Sequence, residues 1–256
     1  MKEILFEIFG VKIYGYGLMI AIGLMCGILL FSKRAKDKNY NEDHIFNMTI
    51  LTIIAGILGG KILYIITDFQ YIKENPSIIF KDFGLGFVIY GAIIAGILSI
   101  YFYCKFKKWD VLEVLDLVVP SLALAQGFGR IGCFLAGCCY GAKTNLPIGI
   151  EFPKDSLAPS GIHLYPTQIM SSVFDFGLAL FLFWYSKKAK SNGRVCAMYL
   201  IVYSIGRFLV EFLRNDPRGQ VWMLSTSQFI SIFTLILGII LYNFDKIKGR
   251  RIKVEK

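Results

Sequence analysis

Gln126-Gly127-Phe128-Gly129-Arg130-Ile131-Gly132-Cys133-Phe134-Leu135-Ala136-Gly137-Cys138-Cys139-Tyr140-Gly141 places an arginine inside a run that is otherwise apolar, with glycines on both sides of it. An ionised side chain at the centre of a bilayer costs roughly 2.5–3.5 kcal/mol even on the insertion scale, so it calls for a partner or a task. Gly127, Gly129 and Gly132 let another backbone or a ligand approach the guanidinium. Arginine presents a planar fork of donors that matches a phosphate or a carboxylate. Two plainer readings compete: an Arg–carboxylate pair locking two helices, or a side chain snorkelling to the interface.

The reading of this run as a membrane helix extends to the whole chain. Of its 256 residues 55% are hydrophobic and 15% aromatic, and the mean hydropathy is +0.58. A helical crossing takes about 20 apolar residues. Seven blocks fit: Tyr16–Phe31, Ile45–Ile66, Leu85–Cys104, Leu112–Leu135, Gln168–Trp184, Val195–Leu213 and Phe229–Tyr242. The expected fold is all-α, one polytopic membrane domain over residues 1–256 with seven transmembrane helices. Residues 1–10 carry Lys2, Glu3 and Glu7 and lack a cationic start followed by an apolar core, so the first block should stay as a helix.

The net charge of +10 is not evidence for nucleic acid, because its distribution is that of a membrane protein. Lys33, Arg34, Lys36 and Lys38 follow block one, Lys105, Lys107 and Lys108 follow block three, and Lys187, Lys188, Lys190 and Arg194 follow block five. The tail adds Lys246, Lys248, Arg250, Arg251, Lys253 and Lys256, whereas the alternate loops hold only Lys73, Lys81, Lys143, Lys154 and Arg218, with Lys2 and Lys12 in the N-terminal segment. Basic residues therefore mark every second loop, which puts the N-terminus outside and the C-terminus in the cytoplasm. The surplus also meets anionic membrane lipids. Loops 67–84 and 140–167 then form an outer cap.

Lys61, Arg130, Arg207 and Arg214 remain, each in or at the end of an apolar block. Tyr203, Arg207, Glu211 and Arg214 recur on one helical stripe, so Glu211 can pair with either arginine. The plain alternative is an internal charge ladder. Tyr16 fits an aromatic belt or a pocket, Lys61 a headgroup contact or a snorkelling cation, and Tyr90 a phosphate donor or core. These residues come from five blocks and fall at one expected depth, near the outer headgroups. Gln126, Arg130, Cys133 and Gly137 share one helical face. A zinc site normally needs four N or S ligands, and His44, expected in the cytoplasm, cannot join Cys133, Cys138 and Cys139. Small-residue packing or a redox-active pair is the expectation there, with no metal and no cofactor.

With these residues in hand, the chain resembles the bacterial prolipoprotein diacylglyceryl transferases. The likeness lies in Tyr16-Gly17-Leu18-Met19, Gly-Phe-Gly-Arg-Ile-Gly at 127–132 closing at Gly141, Tyr-Pro-Thr-Gln at 165–168, and the run Tyr203, Arg207, Glu211, Arg214. The resemblance implies seven helices in the bacterial cytoplasmic membrane. It also implies transfer of diacylglycerol from phosphatidylglycerol to the lipobox cysteine of a prolipoprotein signal peptide, with glycerol phosphate leaving. It maps the family's two essential arginines onto Arg130 and Arg207 and its first-helix tyrosine onto Tyr16, and places Tyr90 where the family carries a histidine. Taken with the converging residues above, the expected catalytic residues are Arg130, Arg207 and Tyr90, with Tyr16, Lys61, Gly91, Gln126, Gly129, Cys133, Gly141, Tyr203, Glu211 and Arg214 around the substrate. Cys133 and Cys138 stand where the family usually has Asn and Glu, and Ser171 where it has a second Glu. The departures fall on groups that handle protons, while the phosphate-binding groups are matched. Tyr90, with a reference pKa of about 10, is a poor base, so the cationic site is expected to lower the acceptor thiol's own pKa. A paralogue with another acceptor or no transferase activity, and an anion or lipid transporter, are the competing readings; no broken-helix repeat recommends the transporter.

Overall fold

The structure, a computed structural model, describes residues 4–8, 11–74, 86–217 and 219–244. Lys2, Lys81, Leu85, Arg218, the part of the expected cap from 75 to 84, and the basic tail from 246 to 256 lie outside the described residues.

Each apolar block is a helix. They are α1 Gly15–Asp37, α2 Glu42–Thr67, α4 Ile89–Lys107, α5 Val111–Ala136, α6 Thr167–Ser186, α7 Arg194–Glu211 and α8 Thr226–Tyr242, with a short α3 at Phe69–Glu74. Block three starts later than expected because Gly86 takes φ +63° and Val88 is extended, so the helical turn begins at Ile89. The chain is not purely helical. Small antiparallel hairpins pair β1 Ile4–Ile8 with β2 Val11–Tyr14, β3 Ile150–Glu151 with β4 His163–Leu164, and β5 Gln220–Val221 with β6 Leu224–Ser225.

Helices α1, α2, α4, α5 and α6 are long and apolar enough to cross a membrane. Their outward faces carry large apolar side chains; Leu180, for example, is 72% exposed. A contiguous apolar surface of this kind is unstable in water and at home in lipid. The protein is a polytopic membrane protein.

The chain divides into two compact units, Met1–Phe31 with Leu115–Lys256, and Ser32–Val114. In the second, α2 and α4 cross on small residues. A Cβ on Gly59 would stand 2.5 Å from the Gly91 carbonyl oxygen, and one on Gly91 would stand 2.7 Å from Leu63 Cβ. Such crossings replace the hydrophobic drive that lipid cannot supply. In the α1–α2 connection Tyr40 donates to Glu113 (3.0 Å) and meets the Trp109 ring edge-on.

In the first unit α1 crosses α5 in the same manner. A Cβ on Gly23 would lie 3.0 Å from the Ala125 carbonyl oxygen, one on Gly27 3.2 Å from that of Ser121, and one on Gly132 3.2 Å from Tyr16. Val119, Ala123, Leu178, Leu182, Val195 and Tyr199 join α5, α6 and α7 in one core. Asp116 is buried beside them and works as a cap supplied from a distance. Its carboxylate accepts from the backbone N–H of Gly193 (2.8 Å) and Cys196 (2.7 Å), at the start of α7. A negative charge there meets both unpaired N–H groups and the positive end of the helix. Asp116→Ala should therefore cost about 1–3 kcal/mol, read as a lower midpoint of thermal unfolding in detergent, and an unchanged midpoint would remove Asp116 from that role.

Candidate active site

Close approaches between α5, α6 and α7 bring the polar groups together. Ser172 on α6 donates to the Gly127 carbonyl (2.9 Å), and a Cβ on Gly127 would strike the Phe176 ring at 2.6 Å. Across the next interface a Cβ on Gly206 would collide with the Phe174 ring. These contacts need glycine because the neighbouring rings fill the space.

The result is a small pocket, open on one side, lined by Arg130 from α5, Ser171, Phe174 and Asp175 from α6, and Tyr203, Gly206, Arg207 and Val210 from α7. Arg207 pairs with Glu211 (2.8 Å) and donates to Ser227 Oγ at the start of α8 (2.7 Å). Arg130 is held less tightly. Its Nε lies 4.0 Å from Asp175 Oδ2, beyond hydrogen-bond length. Asp175 is 2% exposed, and its Oδ2 has no hydrogen-bond partner among the described residues. Two guanidinium groups and one carboxylate thus face a single apolar-walled space. That set can hold an anion between two guanidinium groups and offers one carboxylate to take up a proton.

Most of the residues expected from the sequence lie in this unit, but their duties differ. Arg130, Arg207 and Tyr203 line the cavity, and Tyr203 stacks on Tyr199 with ring centroids 5.4 Å apart. Glu211 sits behind Arg207. Arg214 lies past the end of α7, 3.7 Å from Glu211 and doubly bonded to Asp216 at 2.9 and 2.7 Å. Its visible work is to hold the turn after α7. Gln126 accepts from the Tyr199 hydroxyl (3.0 Å), so it braces the core beside the cavity. A Cβ on Gly129 would meet Ile20 at an ordinary 3.5 Å on the α1 side. Gly137 does not continue the face of Gln126 and Arg130, because the helix ends at Ala136 and Gly137 takes φ +73°.

Gly141 serves the loop that follows. Its N–H donates to the Tyr165 carbonyl (3.1 Å), it bridges Arg214 in antiparallel fashion, and a Cβ there would lie 2.6 Å from the Tyr165 carbonyl oxygen. The segment from 140 to 167 is an ordered piece with its own small core of Phe152, Ala158 and Leu164. Lys61, Tyr90 and Gly91 belong to the other unit. There Lys61 Nζ stands 5.9 Å from the Tyr64 ring centroid, Tyr90 is half-buried on the first turn of α4, and Gly91 makes the α2–α4 crossing.

The end of α5 closes on itself. Cys138 N–H donates to the Cys133 carbonyl (3.1 Å) and Gly137 N–H to that of Phe134 (3.2 Å). That pattern is a Schellman cap, with glycine in the left-handed position. It sets Cys133 and Cys138 side by side, where such caps usually place an apolar pair. Cys139, at φ +61°, turns the third thiol toward them. Buried Thr167 and Gln168 fix the turn by donating to the carbonyls of Cys139 and Cys138, both at 2.8 Å. Tyr16 stands beside this end of α5, packed on Gly132.

Asp175 is not among the residues singled out from the sequence. It is an acid in the middle of an apolar block, and an intramembrane carboxylate is by itself a signal of function.

Comparison with known proteins adds to the geometry. A family model described as prolipoprotein diacylglyceryl transferase matches residues 3–244. The chain is 65% identical over 248 residues to the phosphatidylglycerol–prolipoprotein diacylglyceryl transferase of Clostridium tetani, covering 97% of this chain and 99% of that one. It is 65% identical to phosphatidylglycerol–prolipoprotein diacylglyceryl transferase 2 of Clostridium perfringens, covering 100% of both. The corresponding protein of Clostridioides difficile is 36% identical over 98% of each chain.

Proposed function

The chain belongs to the prolipoprotein diacylglyceryl transferase family, and from that premise we propose that it moves the diacylglyceryl group of phosphatidylglycerol onto the lipobox cysteine thiol of a prolipoprotein. The relatives' names supply the two substrates, and the observation that carries the mechanism is that Arg130 and Arg207 line one cavity.

In this reading the lipid's phosphodiester lies between the two guanidinium forks. Sulfur attacks the glycerol carbon that bears the phosphate, a C–S bond forms, the C–O bond breaks, and glycerol phosphate leaves with the electron pair. Negative charge builds on the departing phosphate, so contacts with Arg130 and Arg207 strengthen in the transition state. Glu211 and Ser227 hold Arg207 in place. Asp175, the one carboxylate among the cavity's lining residues, takes the thiol proton. The acid–base work that the sequence left with Tyr90 or with the thiol alone thus falls to a residue on α6.

All seven apolar helices cross the bacterial cytoplasmic membrane in this reading. The alternation of basic loops sets the N-terminus outside and the C-terminus inside, and the signal-peptide cysteine reaches the cavity from the outer leaflet.

The test is a transfer assay. Purified protein in phosphatidylglycerol vesicles should convert a lipobox peptide to its diacylglyceryl thioether and release glycerol phosphate in equal amount. Vesicles in which the peptide stays unmodified while solute or lipid crosses the membrane would replace this reading with transport.

A further inference from the structure

Forming the C–S bond needs a thiolate, and a free thiol with a pKa near about 8.5 is mostly protonated at neutral pH. The end of α5 carries an arrangement suited to that problem. The sulfur atoms of Cys133, Cys138 and Cys139 all lie within 4.8 Å of one another, half-buried, and no histidine or carboxylate among the described residues joins them. The Schellman cap fixes the first two, and the bonds from Thr167 and Gln168 to the two following carbonyls hold the turn from the α6 side. Packing alone does not require three thiols at one point on a chain that has six cysteines.

Resting on the transferase reading above, we infer that Cys133, Cys138 and Cys139 form a zinc(II) site whose open fourth position takes the sulfur of the acceptor cysteine. Zinc–sulfur bonds of about 2.3 Å in a tetrahedron set sulfurs about 3.8 Å apart, so these three close by at most about 1 Å on binding. Thiolates select zinc or copper(I) over magnesium or calcium. Three protein ligands leave copper(I) complete, whereas zinc keeps a place for one more, which is the pattern of a catalytic zinc. The expectation of no metal from the sequence rested on the missing fourth ligand, and a catalytic site has no need of it.

The step balances without any change of oxidation state. Cys133, Cys138 and Cys139 would hold the zinc, and the metal would keep the acceptor sulfur as a thiolate, its proton going to Asp175 as in the reading above. That sulfur then forms the C–S bond while the C–O bond to phosphate breaks and the pair leaves on glycerol phosphate. The product thioether is a weak ligand and departs. The site stands next to the reaction, since Cys133 follows the cavity-lining Arg130 by three residues, less than one turn, on α5.

Purified full-length protein should hold about one zinc per chain, and Cys133→Ser and Cys138→Ser should each weaken zinc binding by about tenfold or more. Cadmium in place of zinc should show sulfur-to-metal charge-transfer absorption that grows on adding a lipobox peptide, and stays unchanged with the same peptide carrying serine for cysteine. Should the variants misfold, the cadmium titration of the wild-type protein decides alone. Substoichiometric zinc with no cadmium signal overturns the inference. Metal-free protein that transfers at full rate overturns it too, while leaving the transferase reading in place. Metal binding that recruits the peptide sulfur without any transfer upholds the site and sinks the transferase reading.

Discussion

Arg130→Ala and Arg207→Ala are each expected to lower diacylglyceryl transfer by about 10²–10³-fold, the usual effect of removing one donor from developing negative charge. The two losses should differ in kind. Arg130 touches its carboxylate neighbour only at 4.0 Å, so its removal leaves no short ion pair broken. Arg207 holds Glu211 at 2.8 Å and Ser227 at 2.7 Å, so its loss also exposes a buried carboxylate to an unbalanced setting and loosens α7 from α8. Arg130→Ala leaves the buried Asp175 without its cation and should lose kcat with the smaller fall in thermal midpoint, while Arg207→Ala, which also breaks two short contacts, should show the larger fall. Lysine at position 130 keeps the charge but gives up the fork, and should recover only part of the rate. A measured wild-type rate for Arg130→Ala, in protein shown to be folded, would falsify the placement of the phosphate.

The helices were legible because lipid leaves a coarse mark on sequence: long apolar blocks, basic loops at every second turn, and glycines where backbones meet. Ends were less so. Hydropathy starts block three at Leu85 because it does not register the left-handed turn at Gly86, which delays the helix to Ile89. The three small hairpins carry too few residues for a periodic signal. At the site, Arg130 and Arg207 announced themselves as charges in apolar runs, and the structure puts both on one cavity. The roles of Gln126, Gly141 and Arg214 were hidden, since each is set by a partner distant in sequence: Tyr199, Tyr165 and a turn beyond the helix. The cysteines show the same limit. Spacing gave three thiols near a helix end, but only the cap geometry shows them meeting.

Asp175→Asn should lower the rate of transfer by about 10²–10⁴-fold, the usual range for a lost acid–base group, while phosphatidylglycerol still binds. The argument is one of charge. Arg130 and Arg207 on the cavity are paired with Asp175 and Glu211, and Arg214 beyond the end of α7 with Glu211 and Asp216. A phosphodiester carries one negative charge, and the monoester that leaves carries close to two. Moving the acceptor's proton onto Asp175 removes one anion from the wall as the leaving group gains one, so the total charge facing the arginines stays level through the reaction. Asparagine fills the same volume but takes no proton, and that exchange is lost. A purely structural role predicts a loss indifferent to the acceptor. A proton-accepting role predicts that a selenocysteine peptide, already ionised at neutral pH, recovers much of the rate in Asp175→Asn and gains far less in the wild-type protein. If the variant is equally slow with both acceptors, Asp175 positions Arg130 and the proton leaves by another route.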